Sequence, residues 1–504
     1  MGPAGMNRFY ITTPIFYVNG DPHLGTAYAA INADAFARWH RLRGDQVLFV
    51  TGTDEHGLKI QQSADEHGVS PQAWVDQTSA HFLGAWRELE ISFDDFIRTT
   101  QERHHRTVQQ FLTAIYDNGF IEKGHYVGLY CVACEAYYEE SELLDGGRCP
   151  VHERPVTEMS EENYFFRLSA FTDRLIDLYE SGAIRVTPEF RANEVLGFLR
   201  QGLKDISITR TSISWGVQVP WDANHVFYVW YDALINYLTA IGYGDDQERF
   251  LRWWPAVHHL LGKDIIRFHA IWWPAMCLAA GIDPPSELLV TGWLLVDGAK
   301  MSKSSSNQID PLAVARELSS DALRYYLLSS TSFGSDGDVS LDRLRATYNA
   351  DLANDLGNLV SRTAALIVQK LGGEAPSVPE LDDRVQSLAD LMAQGTQAWS
   401  EFRPNAALSA AMEMVRFSNS LLEQTEPWRR PSGDADTAWC LGAVTEGIRL
   451  ASALLSPAIP QATGGILHRL GFENMGELEW HAGHRGQLLH RSEPLFPRLA
   501  RDRS

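Results

Sequence analysis

Positive charge is what this sequence is shortest of: 43 lysines and arginines stand against 64 aspartates and glutamates, a formal charge of -21 over 504 residues. Non-specific affinity for nucleic acid comes mainly from neutralising phosphates, so a general nucleic-acid coat is excluded, and such a partner must meet a local basic surface. Residues 98–106 and 428–430 offer short basic clusters; the plainer reading of each is a solvated face. Cysteine is scarce too. Five in a chain this long, with neither a charged leader nor an apolar core in residues 1–7, point away from a secreted disulfide scaffold and towards a reducing, cytoplasmic compartment. No run approaches the roughly 18 apolar residues of a membrane span, so no membrane partner is expected. Internal repeats and low-complexity tracts are missing as well, which leaves a soluble chain of about two to four domains.

What is present begins at residues 8–26. A β-branched and aromatic run (Phe9, Tyr10, Ile11, Thr12, Thr13) breaks at Pro14, Asn19-Gly20 and Asp21-Pro22, and a proline-free segment follows over 24–43 with Ile31, Ala35, Trp39 and Leu42 at helical spacing and Gly44 placed to stop it. A strand, a turn carrying His23 and Gly25, and a helix N-terminus make a geometry that holds phosphate, because free backbone N–H groups and the helix dipole both favour an anion. A second buried strand at 47–50 runs into Thr51-Gly52-Thr53-Asp54-Glu55-His56-Gly57, placing Asp54 at the carboxyl end of a strand, where open α/β sheets bind ligands. Asp54 there either fixes a substrate ammonium or caps the next helix.

From 119 to about 224 strands and turns replace long helices. Cys131 and Cys134 form one hook, Cys149 and His152 a second, with the residue types a tetrahedral Cys3His zinc site uses; four protein ligands leave no open position, so such a site is structural. Strands are expected to resume at 226–230, at 258–262 before an aromatic helix over 265–277, and at 288–296, which delivers Lys300-Met301-Ser302-Lys303 in a Gly/Ser loop. Lysines three apart can close over a polyphosphate or simply be solvated. Beyond Pro311 the pattern is helical (321–330, 344–371, 381–402, 405–423, 437–455), with a linker at 372–379 and one apolar face per segment, the pattern of an antiparallel bundle.

In their order along the chain these features resemble a class I aminoacyl-tRNA synthetase, and within that class the methionyl-tRNA synthetase family, over residues 10–428. The carriers are TPIFYVNGDPHLG, TGTDEHG, FYVWYDALINY, LGKDIIRFH and GAKMSKS. The resemblance implies an α/β fold: a doubly wound, parallel Rossmann-type sheet in two halves (1–118 and 225–298), interrupted by a connective insertion with a zinc knuckle (119–224), then a stem-contact region with the lysine loop (299–347) and an all-α anticodon-binding domain (348–504). It implies ATP-dependent activation of L-methionine and transfer to tRNA(Met), with Mg²⁺ on the phosphates and structural Zn²⁺ on Cys131, Cys134, Cys149 and His152. His23, Lys300 and Lys303 become the catalytic candidates. Asn19, His23, Gly25, Thr26, Gly262, Asp264, Lys300, Ser302 and Lys303 would bind ATP. Pro14, Ile15, Tyr17, Asp54, Trp230, Ala233, Leu234, Tyr237, Ile265, His269 and Trp273 would bind methionine, Asp54 through the ammonium and Tyr237 through a weak hydrogen bond to sulfur. Asn358, Arg362 and Trp428 match the places where the family reads a CAU anticodon, and no dimerisation domain follows, so a monomer is expected.

One position departs from the family pattern. The first signature usually ends in a second histidine, and here it is Thr26. That residue keeps open the reading of a scaffold or tRNA-binding protein of synthetase fold without catalysis; a second rival is a small-molecule adenylate or nucleotidyl transferase sharing only the phosphate turn.

Overall fold

A computed structural model describes residues 7–131, 136–138, 140, 143–151, 153–296, 298–300, 309–484 and 495–499. The chain forms two compact units: Met1–Pro22, Gly44–Arg87 and Ile91–Thr291 make the first, and His23–Arg43, Glu88–Glu90 and Gly292–Ser504 the second. Helix α1 (Leu24–Leu42) therefore belongs to the second unit, although its sequence lies between two strands of the first.

The first unit is built on a parallel sheet of β1 (Arg8–Thr12), β2 (Phe16–Tyr17), β3 (Gln46–Asp54) and β4 (Asp95–Arg98), with further strands from later in the chain. An antiparallel sheet of β5 (Ile121–Cys131), β6 (Ala136–Tyr138), β7 (Thr157–Phe166) and β9 (Ile206–Ser207) occupies most of the expected insertion. Inside that same range β8 (Arg185–Thr187) joins the parallel sheet, pairing with β13 (Glu287–Thr291). Thr209–Arg210 (β10) and Val226–Phe227 (β11) form a two-stranded antiparallel sheet of their own, so the next strand of the parallel sheet after β8 is β12 (Val257–Gly262), not the expected 226–230. The strand expected over 288–296 is likewise two, because the chain leaves the sheet at Gly292-Trp293.

All neighbours in the large sheet run parallel, and its order is β4, β3, β1, β12, β13, β8, with β2 continuing the line of β1 along the end of β3 (Phe16↔Thr53, Tyr17↔Asp54). Such strands bury both faces, which explains why Phe9 to Thr12 and Leu48 to Thr53 are apolar or small and buried. β3 approaches β4 so closely that a Cβ on Gly52 would lie 2.0 Å from the Ile97 carbonyl oxygen. From β1 the chain winds outward through β3 to β4, and later from β12 through β13 in the other direction. The switch point falls between β1 and β12, and ligands bind at the carboxyl ends of such strands.

The second unit is mainly helical, with a small sheet of Leu294–Val296, Ala299–Lys300 and Gly337–Val339. It contains α3 (Ser320–Ser329), α4 (Asn358–Leu371), α5 (Gln386–Ser400), α6 (Pro404–Thr425), α7 (Ala435–Leu455) and α8 (Pro460–Arg469), α2 (Val229–Leu234) being in the first unit. By length and composition α7 could cross a membrane, which corrects the expectation that no segment reaches that threshold, yet 89% of its most apolar window is buried, as in a core helix. α1 is packed into this unit by aromatic contacts: Trp39 stacks on Trp399 at 5.9 Å, and Phe36 meets Phe333 and Phe402 edge-on.

Candidate active site

At the carboxyl end of β3 the loop 54–57 is anchored on every side. The buried Glu55 carboxylate accepts from Thr53 Oγ1 (2.6 Å), Arg98 Nε (2.7 Å) and Thr100 Oγ1 (2.5 Å), while its carbonyl accepts from Trp215 Nε1 (2.7 Å). His56 Nδ1 lies 2.9 Å from Asp232 Oδ2 on α2, and its carbonyl accepts from the Tyr17 hydroxyl. Burial works to raise the Asp232 carboxyl, but His56 and His104 outweigh it and hold the group below its usual range. Asp54 itself is buried as the last residue of β3. The next helix, Leu58–Glu66, starts from Gly57 without a side-chain cap, so capping is not the role of Asp54.

Across the switch point the later methionine candidates lie on α2, on the short helix Asn236–Thr239 after it, and on the segment after β12. Tyr237, fully buried, donates its hydroxyl to His269 Nε2 at 2.7 Å, and His269 Nδ1–H donates to the Ile265 carbonyl at 3.2 Å. His269 is thereby fixed as a neutral tautomer, and burial pushes its pKa down to about 4. The Tyr237 phenol is pushed up by burial and, after an opposing hydrogen bond from Asn236, by the charge of Asp54, which places that carboxylate within electrostatic reach of the ring. Behind them Trp273 Nε1–H donates to His259 Nε2 (3.1 Å), leaving the His259 Nδ1–H to face Thr12 Oγ1 (2.8 Å). Trp230 lies against Phe268 with ring centroids 3.7 Å apart. The π-helical turn Phe268–Trp272 turns His269 inward in what sequence spacing reads as a plain helix. Pro14, Ile15, Ala233 and Ile265 are half-buried and Leu234 is buried.

Of the nucleotide candidates in this unit, Gly262 ends β12 and Asp264 is exposed two residues later; a Cβ on Gly262 would lie 2.6 Å from Asp264 Oδ1, so glycine leaves room for that carboxylate to fold back. Asn19 is half-buried in the loop after β2. In the second unit His23 caps α1: its Nδ1 accepts from Gly25 N–H (3.1 Å) and Thr26 N–H (3.4 Å), which leaves the ring proton on Nε2. Thr26 Oγ1 accepts from His23 N–H (3.0 Å) and donates to the His23 carbonyl (2.7 Å), so its one hydroxyl proton is spent within the cap. The backbone of Lys300 pairs with Leu295; Ser302 and Lys303 lie outside the described residues.

Cys131 and Cys149 are both buried, and Val151 N–H points at Cys149 Sγ (3.3 Å), a bond that suits a thiolate. Cys134 and His152 lie outside the described residues, and among those described no three metal-binding side chains are gathered. In the bundle the Arg362 guanidinium lies 4.4 Å from the centre of the Trp428 indole, with Asn358 exposed one turn before Arg362. The basic cluster at 98–106 is neutralised internally: Arg98 pairs with Glu55 and Asp76, Arg103 with Asp95, and Arg106 with Glu102.

Sequence reasoning passed over Glu55, His56, His104, His259 and Asp232. The available signal was charge inside apolar stretches: Asp232 stands in VWYDAL, and two more ionisable residues directly follow Asp54.

A family model described as tRNA synthetases class I (M) matches residues 9–157 and 144–364. Methionine–tRNA ligase of Streptomyces coelicolor is 42% identical, with 98% of this chain and 97% of that protein covered; the Thermotoga maritima enzyme is 42% identical over 98% of this chain and 80% of its own length. A solved structure of Mycobacterium tuberculosis methionyl-tRNA synthetase in complex with methionyl-adenylate superposes with a TM-score of 0.92 at 40% identity, covering 98% of this chain and 100% of that one.

Proposed function

The chain belongs to the methionyl family of class I tRNA synthetases, and on that premise we propose how its residues share out the reaction. It is a methionine–tRNA ligase: it activates methionine with ATP to methionyl-adenylate and pyrophosphate, then charges tRNA. The observation that carries the residue assignment is the buried Asp54 carboxylate at the carboxyl end of β3, with the hydrogen-bonded Tyr237 and His269 pair in the same unit. Asp54 would hold the methionine ammonium, and Pro14, Ile15, Tyr17, Trp230, Ala233, Leu234, Tyr237, Ile265, His269 and Trp273 would hold the side chain. A polarizable thioether gains from contact with aromatic rings.

In the first step a methionine carboxylate oxygen bonds to the α-phosphorus of ATP as the bond to pyrophosphate breaks. In-line displacement needs alignment and charge neutralisation more than a protein nucleophile. His23, whose neutral ring carries its proton on Nε2, would meet a phosphate oxygen at the N-terminus of α1, and Lys300 and Lys303 would neutralise the leaving pyrophosphate, with Mg²⁺ supplying further positive charge on the phosphates. Asn19, Gly25, Gly262, Asp264 and Ser302 would seat the nucleotide; Thr26 would serve through the cap. In the second step the tRNA terminal ribose hydroxyl attacks the methionyl carbonyl and AMP leaves. Asn358, Arg362 and Trp428 would read the CAU anticodon, an indole stacking on an unstacked base. Cys131, Cys134, Cys149 and His152 would hold a structural zinc; the buried sulfurs and the N–H directed at Cys149 support this. The protein would act as a cytoplasmic monomer.

Methionine-dependent exchange of labelled pyrophosphate into ATP tests the reading. No exchange would indicate a scaffold, and exchange with a different acid another transferase. Lys303→Ala is expected to lower the exchange rate far more than methionine affinity; equal losses would remove its transition-state role.

A further inference from the structure

In the second unit one wholly buried guanidinium gathers three separate pieces of chain. Arg324, on α3, donates from Nη2 to Asp34 Oδ2 of α1 (2.6 Å) and to the Pro457 carbonyl (2.7 Å), from Nε to the Ala458 carbonyl (3.1 Å), and from Nη1 to the Leu89 carbonyl (3.1 Å). The same Asp34 oxygen accepts from Arg38 Nε at 2.7 Å. A lone buried charge would be satisfied by one carboxylate; here the planar fork is spread over α1 and the turn that ends α7.

α7 has 21 residues and is therefore a rod of about 31 Å. Its other end is tied to the Trp428 turn by Arg430, which pairs with Asp436 in the first turn of α7 at 2.7 Å; the turn is also held to α4, where Lys370 Nζ donates to the carbonyls of Trp428 (3.2 Å) and Arg430 (2.6 Å). A stiff helix thus joins the candidate anticodon contact at one end to Arg324 at the other. From Arg324 the connection passes through Asp34 into α1, whose N-cap is His23.

We propose that Arg324 is a positioning residue that transmits occupancy of the Trp428 end of the bundle, through α7, to the placement of α1 and hence of His23. This rests on the reading of Trp428 as a tRNA contact and of His23 as a nucleotide contact. The two-ended anchoring is what a merely stabilising ion pair does not require: the carbonyls of Pro457 and Ala458 would be met equally by water or by a capping side chain, but neither would connect them to α1.

A double-mutant cycle on the full chain tests it, with kcat and KM for tRNA charging measured separately and thermal melting as the check on folding. Trp428→Ala alone is expected to raise KM and to lower kcat within the roughly 5- to 150-fold range typical of coupled sites. In the Arg324→Lys background, which keeps the charge and loses the fork, Trp428→Ala is expected still to raise KM but to leave kcat within about twofold of that background. Asp34→Asn, which leaves the carbonyl bonds of Arg324 in place, is expected to give the same result and replaces Arg324→Lys if that variant does not melt cooperatively. Multiplying kcat losses in both cycles would overturn the coupling, as would a Trp428→Ala effect confined to KM; neither touches the tRNA reading. Unchanged KM and kcat in Trp428→Ala would overturn the tRNA reading itself and this proposal with it.

Discussion

The proton on a buried histidine decides what its neighbours can do. The Ile265 carbonyl takes the Nδ1–H of His269, so Nε2 accepts and Tyr237 donates to it. The tyrosine hydroxyl proton that sequence reasoning offered to the substrate sulfur is therefore held by the protein in this state. The residue types were legible; the tautomer was not, since it is set by a carbonyl four residues back and by a π-helical turn. The same geometry has a consequence for pH. His269 has a folded-state pKa of about 4, against about 6.5 in an unfolded chain, so between these values the unfolded state binds more protons and stability falls as the solution is acidified. Its share between pH 7 and pH 5 is about 2 kcal/mol. His104, His105, His258 and His259 are shifted the same way, chiefly by burial, and add to the slope. His269→Gln keeps an acceptor for Tyr237 but does not titrate. Denaturant midpoints measured from pH 7 to pH 5 should fall less steeply in the variant, and an identical slope would place His269 in contact with solvent.

Helix α1 shows how an element can be legible while its terminus is not. The apolar spacing and the Gly44 stop are visible in the sequence, and Gly44 indeed takes a φ of +82° just beyond the last turn. What spacing did not reveal is that the residue in place of the second signature histidine closes a reciprocal cap with His23, leaving two backbone N–H groups on the imidazole and the His23 N–H on the threonine. A cap of this kind contributes about 0.5–2 kcal/mol. Thr26→Val keeps the shape and removes the hydroxyl. It is expected to lose that much stability in denaturant unfolding and to slow adenylation while methionine KM stays near its original value, whereas Thr26→Ser should retain both. A valine variant as stable and as fast as the parent would show that His23 needs no partner at this position. Strand boundaries were less legible, and for a local reason. The run 288–296 is apolar throughout, but Trp293 N–H turns to the Asp336 carboxylate, so one apolar run serves two sheets.

At the scale of the whole chain, the order of modules was readable because each carries its own periodicity, while membership in a core was not. β8 lies within a stretch of antiparallel strands and yet completes the parallel sheet, and α1 lies in sequence between β2 and β3 and yet packs with the bundle. Both depend on contacts between residues far apart in sequence, which local pattern does not encode. The division into two compact units makes a prediction about metal. Cys131 and Cys149 sit in the first unit, one at the end of β5 and the other in a tight turn where Cys149 N–H bonds the Arg154 carbonyl at 2.9 Å. If zinc joins them to Cys134 and His152, its binding free energy is part of the folding free energy of that unit alone. Metal analysis should find about one zinc per chain. Chelation should lower the melting temperature of the transition that carries the β-sheet signal and the pyrophosphate-exchange activity, and leave the helical transition of the second unit where it was. A chelated protein that is free of zinc, melts unchanged and exchanges pyrophosphate at full rate would show that the two hooks hold their turns without an ion.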